Sequence, residues 1–197
     1  MQIPTIQPTT VASQASRPAR SAIQKHADYF DANHDGKVTL GEAYHQMRAL
    51  GLGRVAAGLG AFAGNAFLAH ATGSGLRHPL TIITDNIAQG KHPGDTGNFN
   101  ADGSFNQANF EKMFATRDLN HDGNLSQSEV KSMIAANSHG SKLGSFLSSV
   151  ELGLMMKVAG EDRKVDGQET RVLTREKLEA FYNGTLLYTL SGQPIPS

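Results

Sequence analysis

Two stretches constrain this chain more than anything else in it: DANHDGKVTLGE from Asp31 to Glu42, and DLNHDGNLSQSE from Asp118 to Glu129. Each spaces its oxygen-bearing residues as an EF-hand calcium loop does, with ligands at positions 1, 3, 5, 7, 9 and 12 and glycine at position 6 for the sharp turn. In the first, Asp31, Asn33, Asp35, Thr39 and Glu42 offer side-chain oxygens. Lys37 stands at position 7, where the ligand is the backbone carbonyl and the side chain is free to vary. In the second, Asp118, Asn120, Asp122, Asn124, Ser126 and Glu129 repeat the register. Polar turns that merely contain acids do not explain a glycine and a closing glutamate in register twice. Three carboxylates per loop predict calcium affinity in the sensor range, on the order of 10⁻⁷ to 10⁻⁵ M.

Helical periodicity surrounds both loops. Ile23, His26, Ala27 and Phe30 share one face before the first loop, and Ala43, Met47 and Leu50 share one after it. Phe110, Met113 and Phe114 precede the second loop, and Val130, Met133 and Ile134 follow it. A lone loop leaves such faces uncovered, so partners are expected. Asn98, Asn100, Asp102 and Gly103 imitate the start of a loop, but Asn109 stands where the bidentate glutamate belongs. A second imitation begins at Asp162 and carries extra residues after Asp166 and Gly167. The expectation is that residues 98–109 pair with the first loop and 162 to about 177 with the second. The fold class follows: all-α, of helix-loop-helix units, two complete and two degenerate, with short β pairing between loops.

Composition narrows the function. Lys plus Arg and Asp plus Glu both total 18 among 197 residues, and no basic stripe points to nucleic acid. The absence of cysteine rules out disulfides, thiolate catalysis and thiolate metal sites. Residues 1–22, free of Asp and Glu, lack the apolar run of a secretory signal and read as a disordered leader, with a transit peptide or a leaderless secretion signal as alternatives. Residues 23–190 read as one domain with an apolar, glycine-rich insert at about 51–80, and 191–197 as a tail. Arg54, Asn65 and His70 interrupt that insert, so it reads as a buried or interfacial helix rather than a membrane span.

The histidines divide by position. His34 and His121 occupy loop position 4 and face solvent, while His45, His78 and His139 have no partner that the sequence identifies. His70 closes the apolar insert and reads as a core or interface residue. His26 interrupts the apolar face of the incoming helix, and a buried imidazole must satisfy both ring nitrogens by hydrogen bonds or a metal. His92, in GKHPGD, sits on a loop that could bring a second imidazole to it. From the residues alone, a hydrogen-bonded core histidine and a two-histidine metal or haem site both stay open.

Taken in order, QKHADYFDANHDGKVTLGEAYHQMRALGLG, NIAQGKHPGDTGNFNADGSFNQANFEKMF, VELGLMMKVAGED and EKLEAFYNGTLL make the chain resemble the caleosins over roughly residues 23–190. These are calcium-binding proteins of plant and fungal lipid droplets, some of which are haem peroxygenases. The resemblance implies that His26 and His92 bind haem and that lipid hydroperoxides are the oxidant. It further implies calcium, lipid and lipid hydroperoxide as partners. Where the family carries a proline-rich knot, this chain has Pro79 alone, so any membrane contact is expected to be peripheral rather than transmembrane. Pro93 replaces the glycine after the second histidine, and the complete loop at Asp118–Glu129 is additional to the family pattern. The alternative function is a non-enzymatic calcium sensor or buffer, or a secreted calcium-sensing effector.

Overall fold

The computed structural model describes residues 19–75, 78–90, 96–137, 142–165 and 167–196, without the side chains of 142–147. The leader through residue 18 and His92 lie outside the described residues. Among the described residues the chain is mostly helical, with two small antiparallel sheets.

The first half is built around the loop from Asp31. Helix α1 (Ala22–Phe30) starts at a capping box in which the Ser21 hydroxyl accepts from the Gln24 amide and the Gln24 side chain accepts from the Ser21 amide. Helix α2 (Leu40–Ala49) starts the same way with Thr39 and Glu42, so two expected calcium ligands also fix the helix start. Strand β1 (Lys37–Val38) lies between them. Helix α3 (Arg54–Ala71) spans most of the glycine-rich insert and is followed by strand β2 (Ile82–Ile83) and a 3₁₀ helix (Thr84–Gln89). Arg20 ties this half together, donating to both Asp28 carboxylate oxygens at 2.6 and 2.7 Å, to Thr84 Oγ1 at 3.1 Å, and to Asp85.

The second half repeats the plan with a larger sheet. Helices α4 (Gln107–Arg117) and α5 (Gln127–Asn137) flank strand β3 (Asn124–Ser126). Helix α6 (Lys142–Ala159) leads into a hairpin of β4 (Glu161–Val165) and β5 (Gln168–Thr174), then α7 (Arg175–Tyr182) and α8 (Leu186–Ser191). Phe110, Leu125, Met133, Leu173 and Leu178 form the centre of the larger core.

One expectation about pairing and one about local structure are corrected. The first loop pairs with Ile82–Ile83, not with residues 98–109: Lys37 stands opposite Ile83 and Val38 opposite Ile82. Asn65, which interrupts the apolar run of α3, makes this possible by donating from its buried amide to the carbonyls of Val38 at 3.0 Å and Leu80 at 2.8 Å. Thr72 at the end of α3 accepts from the Ile83 amide at 3.1 Å. The second loop does pair within 162–177, through Asn124–Ser126 against Val172–Thr174. That segment is a five-pair β-hairpin rather than a degenerate helix-loop-helix unit, and it enlarges the β content beyond the short loop pairing expected of an all-α chain.

Candidate functional site

The two glycine-containing loops adopt one backbone. His34 and His121 have φ of 58° and 57°, and Gly36 and Gly123 have φ of 83° and 78°. Left-handed conformation at a histidine costs roughly 1–2 kcal/mol, so its recurrence at equal positions needs a compensating set of bonds. Asp31 Oδ1 accepts from the Asp35 amide at 3.1 Å and Oδ2 from Gly36 at 2.8 Å. Asp118 accepts from Asp122 at 3.1 Å and Gly123 at 2.9 Å in the same way.

The closing glutamates differ. Glu42 Oε2 accepts from the Thr39 amide and hydroxyl at 2.9 and 2.7 Å, while Oε1 is buried with no hydrogen-bond partner among the described residues. Both oxygens of Glu129 are engaged: Oε1 by the Leu119 amide at 2.8 Å, and Oε2 by the Ser126 amide and hydroxyl at 2.8 and 2.6 Å. Burial holds the Asp31 carboxyl above the usual range, the Gly36 and Asp35 amides oppose that shift, and the charges of Asp35 and Glu42 add to it. A desolvated, mutually repelling acid set with an orphaned carboxylate oxygen is one that a divalent cation would relieve. No three His, Asp or Glu side chains converge into a metal-binding group among the described residues.

His26 lies in a different environment. Its Nε2 is 2.5 Å from the carbonyl oxygen of Phe181, which can only accept, so Nε2 carries the proton and Nδ1 holds the lone pair. The ring packs on Phe181, centroids 4.6 Å apart, and meets the edge of Phe99 at 6.2 Å. Burial lowers its pKa from the ordinary histidine value, outweighing the Phe181 carbonyl and the charge of Glu151, and so favours the neutral imidazole.

The face of His26 that protein does not cover lines an apolar cavity of about 340 Å³. Residues from both cores form the wall: Ile23 and Phe30 of α1, Met47 of α2, Phe67 of α3, Leu152 and Met155 of α6, and Tyr182 of α7. Gly60, Gly64 and Gly90 expose backbone to it, and Thr96, Ser148 and Glu151 are its polar lining. The walls and the neutral imidazole suit a flat apolar cofactor with a metal that accepts nitrogen, and haem is such a group. His70, His45 and His78 are exposed, and none lines the cavity. The sequence reading missed Glu151 and the Phe181 carbonyl. Glu151 was visible as the one acid in the apolar run FLSSVELGLMMKVAG, whereas nothing local marks a backbone carbonyl 155 residues from the histidine it holds.

The profile of the family described as caleosin related protein matches residues 18–191, and the chain belongs to the caleosin family. A peroxygenase of Lilium longiflorum is 28% identical over 172 residues, covering 86% of this chain and 70% of that protein. Probable peroxygenase 4 of Arabidopsis thaliana is 27% identical over 173 residues, covering 87% of this chain and 86% of its own. No solved structure matches.

Proposed function

We propose that this chain is a calcium-binding haem peroxygenase that acts on lipid hydroperoxides. The observation that carries the reading is the half-buried His26, its Nε2 held by the Phe181 carbonyl, at the wall of an apolar cavity. It is supported by membership of the family and by relatives named as peroxygenases. Bound haem would supply cleavage of a peroxide O–O bond and delivery of its oxygen to an acceptor. His26 would hold the haem through a ring nitrogen, with His92 proposed as the second histidine of the site. The Phe181 carbonyl fixes the ring's tautomer and orientation, the kind of support that metal-ligating histidines draw from a neighbouring carbonyl. The aliphatic and aromatic walls exclude water and accommodate an acyl chain, and Glu151 is the lining group able to take up and return a proton beside a bound peroxide.

Calcium would be held by two EF-hand units. Asp31, Asn33, Asp35, Thr39 and Glu42 with the Lys37 carbonyl form one, and Asp118, Asn120, Asp122, Ser126 and Glu129 with the Asn124 carbonyl form the other. The first lies directly after α1, so calcium there braces the helix that carries His26. No described helix is long and apolar enough to cross a membrane. The outer face of α3 exposes Val55, Leu59 and Phe62 at 76%, 67% and 55%, a stripe suited to peripheral contact with a lipid surface.

Absorption spectroscopy of the calcium-loaded protein titrated with haemin tests the reading. A Soret band that forms in the wild type and is lost in His26→Ala, while calcium still titrates at Asp118–Glu129, is the expected result. A protein that takes up no haemin refutes it.

A further inference from the structure

The methionines are unevenly placed with respect to the cavity. Met113, Met133 and Met156 are buried in the larger core and do not line it, whereas Met47 and Met155 do. Met47 lines the cavity, and its sulfur packs close to Gly60, a second lining residue. A β-carbon on Gly60, which lines the cavity, would stand 2.9 Å from Met47 Sδ and 3.4 Å from its methyl carbon. A thioether is readily oxidised by peroxides, and one held inside a peroxide-binding cavity competes with any acceptor that enters.

We propose that Met47 is an internal oxygen acceptor and a site of self-modification. This rests on the peroxygenase reading. The oxidant is an alkyl or lipid hydroperoxide bound in the cavity. Its O–O bond breaks and an S–O bond forms; the thioether sulfur loses two electrons and becomes the sulfoxide. The hydroperoxide gains them: its terminal oxygen goes to sulfur, the proton that oxygen carried passes to the alkoxy oxygen, and the latter leaves as the alcohol. The sulfoxide oxygen is polar, and it arises in the seam where Met47 packs with Ala43 and Ala61 between α2 and α3. Oxidation therefore opens that seam or polarises the wall, weakening uptake of apolar substrates. Because α2 begins within the first calcium loop, the same event reaches the helix that bears Glu42. Methionine sulfoxide is enzymatically reducible, so the change is a reversible brake that acts when peroxide outruns acceptor.

The test uses full-length, haemin-loaded protein treated with cumene hydroperoxide, with and without an unsaturated fatty-acid methyl ester as acceptor. Peptide mass spectrometry reads the single-oxygen gain at each methionine, and the Soret band of the same sample reads haemin uptake. Met47 is expected to oxidise ~10-fold or more faster than Met113, Met133 and Met156. The ester should suppress that signal, and omission of haemin should slow it to the uncatalysed rate of thioether oxidation by the hydroperoxide. In Met47→Leu the peptide should stay unmodified, with no compensating rise at the three core methionines. Oxidation spread evenly over the methionines overturns the proposal. So does an unmodified Met47 in a sample that shows a Soret band and has consumed hydroperoxide. Absence of the Soret band overturns the functional reading beneath it, and the two failures are told apart in one sample.

Discussion

Gly64 is the position at which stability and function are expected to separate. It lies inside α3, where glycine is less favourable than alanine by about 0.8–1.0 kcal/mol. A β-carbon there meets nothing within 4 Å, although the residue lines the cavity. Gly64→Ala therefore gains helix propensity without a clash, and its melting temperature should rise by about 2–4 °C, from roughly 1 kcal/mol in a protein of this size. Gly60→Ala is the internal contrast. Its β-carbon would lie 2.9 Å from Met47 Sδ and 3.3 Å from Leu154 Cδ1, so overpacking of about 1–3 kcal/mol cancels or exceeds the propensity gain. Gly64→Leu keeps the helical gain and places a branched side chain in the cavity, so haemin affinity should fall ~10-fold or more for the loss of about 1.4 kcal/mol of binding energy. Scanning calorimetry of the apo protein and haemin titration by absorbance provide the two measurements. A lower melting temperature for Gly64→Ala would show that the position is not open. Unchanged haemin affinity in a folded Gly64→Leu would show that the cofactor does not occupy this cavity.

The remaining expectations concern the loops, the histidine and the surface. A glutamine retains one acceptor oxygen; Glu42 uses one and Glu129 uses two. Without calcium, Glu129→Gln should cost about 1–3 kcal/mol by leaving the Leu119 amide unsatisfied, and Glu42→Gln less than about 0.5 kcal/mol. With calcium, each should lose one calorimetric binding event, by at least the ~10–100-fold that weaker perturbations of metal sites produce; two unaltered events would refute the ligand assignment. Burial depresses the His26 pKa below its unfolded value of 6.5, so the unfolded chain binds more protons, and the apo protein should lose stability as pH falls below about 6.5. Denaturant melts of His26→Gln between pH 7 and 5 should show that slope reduced, and an identical slope would place the titrating group elsewhere. Leu59→Ser with Phe62→Ser should lower partition onto phospholipid-coated triglyceride emulsions ~100-fold or more without changing haemin uptake, through loss of about 1.5–3 kcal/mol per buried apolar side chain. Equal flotation of variant and wild type would exclude the α3 face.

The parts legible in the sequence were those set by local chemistry. Loop register, the flanking apolar faces, and the oddity of an imidazole on one of them depend on residues within a turn or two of each other. The hairpin of β4 and β5 was also signalled, since EDRKVDGQETRVLT places an Asp-Gly pair between two alternating strands, the commonest short hairpin turn. Reading that pair as loop positions 5 and 6 was the error, because both structures want glycine at positive φ, and Gly167 has φ of 82°. The cavity was not legible at all. It is enclosed by α1, α2, α3, α6 and α7, and its existence depends on how two cores meet rather than on any one segment.

The pairing of the first loop was misread for a reason that bears on the site. Residues 98–109 retain the loop shape, with Gly103 at φ of 80° and a bridge between Phe99 and Phe105, and an amide side chain closes it. Asn109 donates to the Thr96 carbonyl and to Asn98 Oδ1, both at 3.0 Å, a neutral amide doing the gathering that a bidentate glutamate does through calcium. A loop closed this way owes nothing to a partner loop, and its backbone is free to serve elsewhere. The Gly103 carbonyl accepts from the Ile23 amide at 3.1 Å, and a β-carbon on Gly103 would press to 2.5 Å from Ile23 and 2.8 Å from the Ser21 hydroxyl. The degenerate loop thus grips the first turn of α1 one turn before His26, while Phe99 from the same loop meets the His26 ring. Residues 98–109 thereby bracket the helix that carries the histidine, while Ile82–Ile83 supply the strand pairing of the loop from Asp31.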